Sequence, residues 1–176
     1  MSLTGPPQVA QRGGTQPDTA GLSAGASLLP LSLSQREVWR DRAAWPDSAH
    51  LMIGGGGFLD GPLDLARCAE ALRLLVQESD GLRLAPLAGG GQYLLDRWEP
   101  VLEIRELPPG EDPASAMQAW WREGLARPFP FDGTPPWRFV LLRAHATLHG
   151  LAMQFHHVVM DGWGTSQVMT RSAYWV

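Results

Sequence analysis

The chain has 176 residues, 44% hydrophobic and eight of them Trp, which is a globular composition with enough length for one cored domain. Fourteen Lys and Arg against eighteen Asp and Glu give a formal charge of −4 with no long basic run, so nucleic acid and anionic membrane are poor partners. Cys68 is the only cysteine, which excludes an internal disulfide and any cysteine-spaced metal site.

Met1 to Ser27 is rich in Gly, Pro, Ser, Thr, Gln and Ala and is expected to be a disordered tail. It has neither the basic start nor the apolar stretch of a secretory signal, and no run in the chain approaches the ~18 apolar residues of a membrane span. The cytoplasm is therefore the expected location. Order is expected from Leu28, followed by a helix capped by Ser32 or Ser34 and running to about Arg42. His50 to Leu59 reads as a strand despite four consecutive glycines, which mark a bulge or a close backbone approach. Leu65, Cys68, Ala69, Leu72, Leu75 and Val76 form one apolar stripe on a helix from Asp64 to Glu78. Leu82–Leu87 and Gly91–Asp96 flank Ala88-Gly89-Gly90 as a hairpin, and Val101–Arg105 is a short strand. Asp112-Pro113 opens a helix to about Ala126. Trp137–Ala144 and Leu148–Phe155 are two apolar strands, and a helix is expected from Trp163 to Trp175.

The second of those strands ends in His156-His157-Val158-Val159-Met160-Asp161-Gly162. Neighbouring residues of an extended stretch point to opposite sides, so only one of the two histidines can face a given cleft. A histidine near its ordinary pKa of about 6.5 exchanges protons at neutral pH. Gly162 permits a tight turn, after which Asp161 can fold back on the loop or pair with a cation. Two other readings stand beside this one. A strand-end histidine is commonly a satisfied structural residue. His156, His157 and Asp161 also have metal-ligand chemistry, although adjacent strand residues diverge and no fourth ligand is placed. His145 and His149 flank the preceding turn and are expected to be solvated.

The His-His-x-x-x-Asp-Gly run, followed by Trp163, resembles the core motif of non-ribosomal peptide synthetase condensation domains, members of the chloramphenicol acetyltransferase-like acyltransferases. Ser32-Leu33-Ser34-Gln35-Arg36-Glu37-Val38-Trp39 resembles the first motif of that family. Phe131-Asp132-Gly133-Thr134-Pro135-Pro136-Trp137-Arg138 resembles its Phe-Asp-x-x-x-Pro-Leu-x-Arg segment. Glu78-Ser79-Asp80-Gly81-Leu82-Arg83 stands where the family often has Arg-His-Glu-x-Leu-Arg and keeps only the Leu-Arg end. Trp45-Pro46, Ser48 to Gly55 and Leu63-Asp64 resemble starter-type members.

The resemblance implies an α+β fold: a two-layer chloramphenicol acetyltransferase-like sandwich with a mixed or antiparallel sheet and flanking helices. It implies that residues 28–176 are the N-terminal lobe only, truncated before a second lobe that completes the reaction tunnel. The implied reaction is amide formation between an acyl or peptidyl thioester and an aminoacyl amine. Both are carried on phosphopantetheine arms of donor and acceptor carrier proteins, with no cofactor or metal held by this lobe. His157 would orient the amine or take its proton, with His156 beside it. Asp161 would be a structural acid paired with Arg83, and Gly162 would form the turn with its N–H near the developing oxyanion. Two further functions share the motif: a self-contained trimeric CoA-dependent acetyltransferase, and a non-catalytic lobe that binds carrier proteins.

Overall fold

A computed structural model describes residues 26–46 and 48–172. Its elements are β1 (Ser27–Leu29), α1 (Leu33–Ala44), β2 (Met52–Asp60), α2 (Leu65–Glu78), a 3-10 turn (Asp80–Arg83), β3 (Leu84–Pro86), β4 (Gln92–Leu94), β5 (Leu102–Glu106), α3 (Pro113–Leu125), β6 (Trp137–His145), β7 (Leu148–His156) and α4 (Gly162–Ser172). The tail expected over residues 1–27 lies outside the described residues as far as residue 25. From Ser27 the chain is already paired to β4. The expected helical stretch beyond Ser172 also lies outside them.

The strands form two sheets. β2, β7, β6 and β5 lie side by side in that order, antiparallel except for the parallel pair β5–β6, while β1, β4 and β3 form a small antiparallel sheet. The class is α+β with flanking helices, as the resemblance implies. The expected Leu82–Asp96 hairpin belongs to the small sheet. It is shorter than the apolar pattern suggests because Asp80–Arg83 coil into a 3-10 turn before β3 begins. β1, three residues long, carries no periodicity from which to read a strand.

Alternation along β6 and β7 divides the core. Trp137, Phe139, Leu151, Met153 and Phe155 face Leu72, Leu75 and Val76 of α2 and Val168 of α4. Val140, Leu142 and Ala152 face Ala116 and Trp120 of α3. The large sheet thus carries helices on both faces, and each fully buried aromatic or branched residue contributes about 1.5–3 kcal/mol. The α2 stripe buries Cys68, Leu72, Leu75 and Val76, while Ala69 stays exposed. Ser32 caps α1 in a reciprocal box with Gln35, Asp64 caps α2, and Asp112 caps α3 with Pro113 in its first turn.

The glycine run of β2 is explained by what would meet a side chain there. A Cβ on Gly54 would lie 2.1 Å from the Met153 carbonyl oxygen and 2.3 Å from the Trp121 ring. On Gly56 it would lie 2.7 Å from the Leu151 oxygen, and on Gly55 2.4 Å from the Met169 sulfur. The bare backbone lets α3 and α4 close against this edge strand. Gly57 has nothing within 4 Å. Gly54→Ala is therefore expected to lower unfolding free energy by about 2–3 kcal/mol. Gly57→Ala should be neutral or raise it by about 0.5 kcal/mol, since glycine is entropically costly in a strand. Urea unfolding of the two variants compares them directly.

Candidate active site

β7 is buried from His149 to His156, and its end is fixed by backbone bonds on both sides. The His156 N–H donates to Pro136 O at 2.9 Å, and the His157 N–H donates to Leu51 O at 2.8 Å. The pleat therefore turns the two histidines apart. His156 is 4% exposed. Its Nδ1 accepts the Val158 N–H at 3.1 Å, and Phe131 meets its ring edge-on at 4.9 Å between centroids. The Arg42 guanidinium in turn lies over Phe131, 4.0 Å from the ring centroid. Burial, reinforced by the positive charge of Arg42 and by His157 and His50, pushes the His156 imidazole down to about 4.

His157 is exposed and opens onto a cleft of about 520 Å³. Ser34, Gln35 and Val38 of α1 form one wall, Ser79, Gly81 and Leu82 another, and Gly164, Gln167 and Val168 of α4 a third. Asp161 also borders the cleft. The turn itself is tied by Val159 N–H to His156 O at 3.1 Å.

The expected Arg83–Asp161 pair is not formed. Arg83 Nη1 donates to the carbonyls of Leu95 (2.8 Å) and Asp96 (3.1 Å), and Nη2 pairs with Asp80. The guanidinium thereby stitches the 3-10 turn to the end of β4, and these bonds commit it to the small sheet. Asp161 is exposed and caps α4. Its Oδ1 accepts the Gly164 N–H at 2.7 Å, and its carbonyl accepts the Thr165 N–H at 2.9 Å. Gly162 also departs from expectation. It is the first residue of α4 and has no left-handed φ, and a Cβ there would meet nothing within 4 Å. The backbone does not demand glycine at that position. His149, expected to be solvated, is 1% exposed with Nε2 3.2 Å from Gly61 O, because β7 is central and this position faces inward. Among the described residues no group of three or more His, Cys, Asp or Glu is placed to share a metal ion.

Sequence reasoning missed the side-chain ties that join the elements around the site. Gln35 Nε2 donates to Val158 O, and Trp137 Nε1 donates to Leu82 O at 2.9 Å. Arg138 ties β6 to the end of α3 through Gly124 O (2.9 Å) and Arg127 O (2.7 Å). All three residues lie inside the family-like motifs, so their identity was visible but their partners were not.

A family model, Condensation domain, matches residues 26–173. The chain belongs to the condensation domain family. It is 31% identical over 143 residues to a linear gramicidin synthase polypeptide of Brevibacillus parabrevis, a match covering 78% of this chain and 3% of that protein. It is 31% identical over 147 residues to phosphinothricin tripeptide synthetase PhsC of Streptomyces viridochromogenes, covering 77% of this chain and 13% of that one. Among solved structures, the starter condensation domain of rhizomide synthetase RzmA superposes with a TM-score of 0.74 at 27% identity, covering 84% of this chain and 37% of that one. The first condensation domain of the calcium-dependent antibiotic synthetase gives a TM-score of 0.70 at 28% identity, covering 83% and 36%. This condensation-family chain thus spans little more than a third of the solved domains and a small fraction of the synthetases it resembles.

Two outcomes follow from this geometry. His156 is depressed to about 4 from an ordinary 6.5, so the unfolded chain takes up a proton that the folded chain refuses. The stability His156 secures is whole above pH 6.5 and is lost as pH falls towards 4, by on the order of 3 kcal/mol in all. His156→Asn keeps an acceptor for the Val158 N–H and should flatten this part of the pH–stability curve, measured by urea unfolding in steps between pH 7 and 4. Asp161→Ala removes a helix cap and not a buried ion pair, so it should cost about 1 kcal/mol in thermal unfolding. A loss of about 3–5 kcal/mol would instead signal a buried charge pair.

Proposed function

We propose that this chain is the N-terminal lobe of an amide-forming condensation domain, and that His157 is its catalytic residue. The observation that carries the reading is the division of the motif: His156 is sealed into the core, and of the two histidines only His157 opens onto the cleft. The reaction joins a donor acyl or peptidyl thioester to an aminoacyl acceptor, each on the phosphopantetheine arm of a carrier protein. The amine nitrogen attacks the thioester carbonyl, forming the C–N bond and a tetrahedral adduct. The adduct collapses with cleavage of the C–S bond, the thiol leaves, and the nitrogen gives up its proton. His157 receives that proton or holds the amine by a hydrogen bond as it attacks. Asp161 and Gly162 begin α4, whose N-terminal N–H groups favour negative charge near the cleft rim.

The relatives support this reading over a self-contained trimeric acetyltransferase, because the matched stretch is a small part of long synthetases. A variant of the rhizomide starter domain has been solved in complex with C8-CoA and Leu-SNAC. That pairing supports a starter-type donor here, in line with the Trp45 to Asp64 segment. Among the described residues no helix is long and apolar enough to cross a membrane.

The cleft is open on one side, which suits closure by a second lobe. Without it, water competes for the thioester and neither arm is held against the other. The 176-residue chain alone should make no amide above background. Joined to a C-terminal lobe, His157→Ala should lower condensation about 10²–10⁴-fold, the usual range for a positioned proton-transfer residue. A carrier-protein assay with acyl donor and aminoacyl acceptor reads both outcomes. Full turnover by a folded His157→Ala protein would favour a non-catalytic carrier-binding lobe.

A further inference from the structure

Gln35, in the first turn of α1, reaches across to the loop that carries His157. Its Nε2 donates to Val158 O at 2.9 Å and to Gln92 Oε1 at 2.8 Å. Its Oε1 accepts from Gln92 Nε2 at 2.9 Å and from the Ser32 N–H at 3.0 Å. A carboxamide offers two donor hydrogens and two acceptor lone pairs, so this one is fully used. Gln92, 5% exposed in β4, completes a reciprocal amide pair and donates also to Pro30 O at 3.3 Å. The helix cap, the small sheet and the catalytic loop therefore meet at one side chain.

The bonds around His157 give this junction a specific consequence. The His157 N–H is held by Leu51 O, the Val158 N–H by His156 Nδ1, and the Val159 N–H by His156 O. The Val158 carbonyl shares a peptide plane with the Val159 N–H, and Gln35 holds it from outside the loop. Three consecutive peptide planes are thus tethered, and the third owes one tether to α1. Gln35 also borders the same cleft as His157. We propose that Gln35 is a positioning residue for His157, setting where the imidazole stands in the cleft by clamping the neighbouring carbonyl. The proposal rests on the reading of His157 as the catalytic residue.

Gln35→Glu keeps the shape and removes both donors, placing carboxylate oxygens against Val158 O and Gln92 Oε1. Gln35→Met removes the donors without adding charge, so the pair separates loss of the clamp from charge burial. Trp39→Phe serves as the matched control. It lies on the same helix and loses only a 3.3 Å bond from Nε1 to Leu87 O, away from the loop. Two measurements are made. Amide exchange is followed by NMR in this chain, and kcat and KM are measured with this lobe joined to a C-terminal lobe.

In both Gln35 variants, exchange at His157 and Val159 should rise about 10-fold or more, while Val140 and Ala152 at the sheet centre keep their rates. Condensation kcat should fall roughly 10–100-fold, as for a reacting group displaced by about an ångström, with KM moving less than about 3-fold. Trp39→Phe should lower the melting temperature yet keep kcat within about 3-fold. Unchanged loop exchange in both Gln35 variants, or an equal kcat loss in Trp39→Phe, would overturn the proposal. Its failure is separable from failure of the catalytic reading. Full activity in His157→Ala sinks the latter while leaving the loop-exchange result in place.

Discussion

The structure turns on the way β7 ends. A strand buried on both faces and paired on both edges has no freedom in its pleat, so its last two side chains must point opposite ways. Bonds from His156 N–H to Pro136 and from His157 N–H to Leu51 extend that constraint one residue beyond the strand. One histidine is thereby committed to the core as a neutral acceptor, and the other to the cleft. The chemistry proposed for His157 depends on this partition, since an imidazole free to swing inward would lose the orientation that makes it useful.

Three separated stretches of sequence serve that partition. Gln35 comes from α1, and Leu82 from the 3-10 turn receives the Trp137 indole N–H. Phe131 packs on the His156 ring, and Pro136 accepts its N–H. The Phe131–Arg138 segment is bent by Asp132, which accepts from the Thr134 N–H and hydroxyl, and by Gly133 at φ +90°. These are the segments that resemble family motifs. The chemistry proposed here falls on the histidine run alone; the other segments act as its mounting.

Much of this was legible in the sequence. The helices at α2 and α3 follow from an apolar stripe and from Asp-Pro capping, and β6 and β7 from largely apolar runs. The opposed histidines follow from strand period alone. Pairings between residues far apart did not follow. Resemblance assigns Arg83 to Asp161, but Asp80 sits three residues away and the Leu95 and Asp96 carbonyls face the same guanidinium, and those nearer acceptors take its Nη donors. β1 was unreadable because three residues carry no period, and its partner β4 lies some sixty residues later. The burial of His149 depended on β7 being central, a fact of sheet order that no local pattern holds.

The glycine run of β2 bears on how the chain reaches this state. Met52 pairs with His156, so β2 waits for about a hundred residues of further chain before its partner exists. An ordinary apolar strand left unpaired for that interval is a template for intermolecular pairing. Gly54 to Gly57 have almost no apolar surface and little intrinsic preference for the extended state. The feature that lets two helices close on the finished sheet also makes the nascent strand a poor seed for aggregation, leaving its register to be imposed late, by β7.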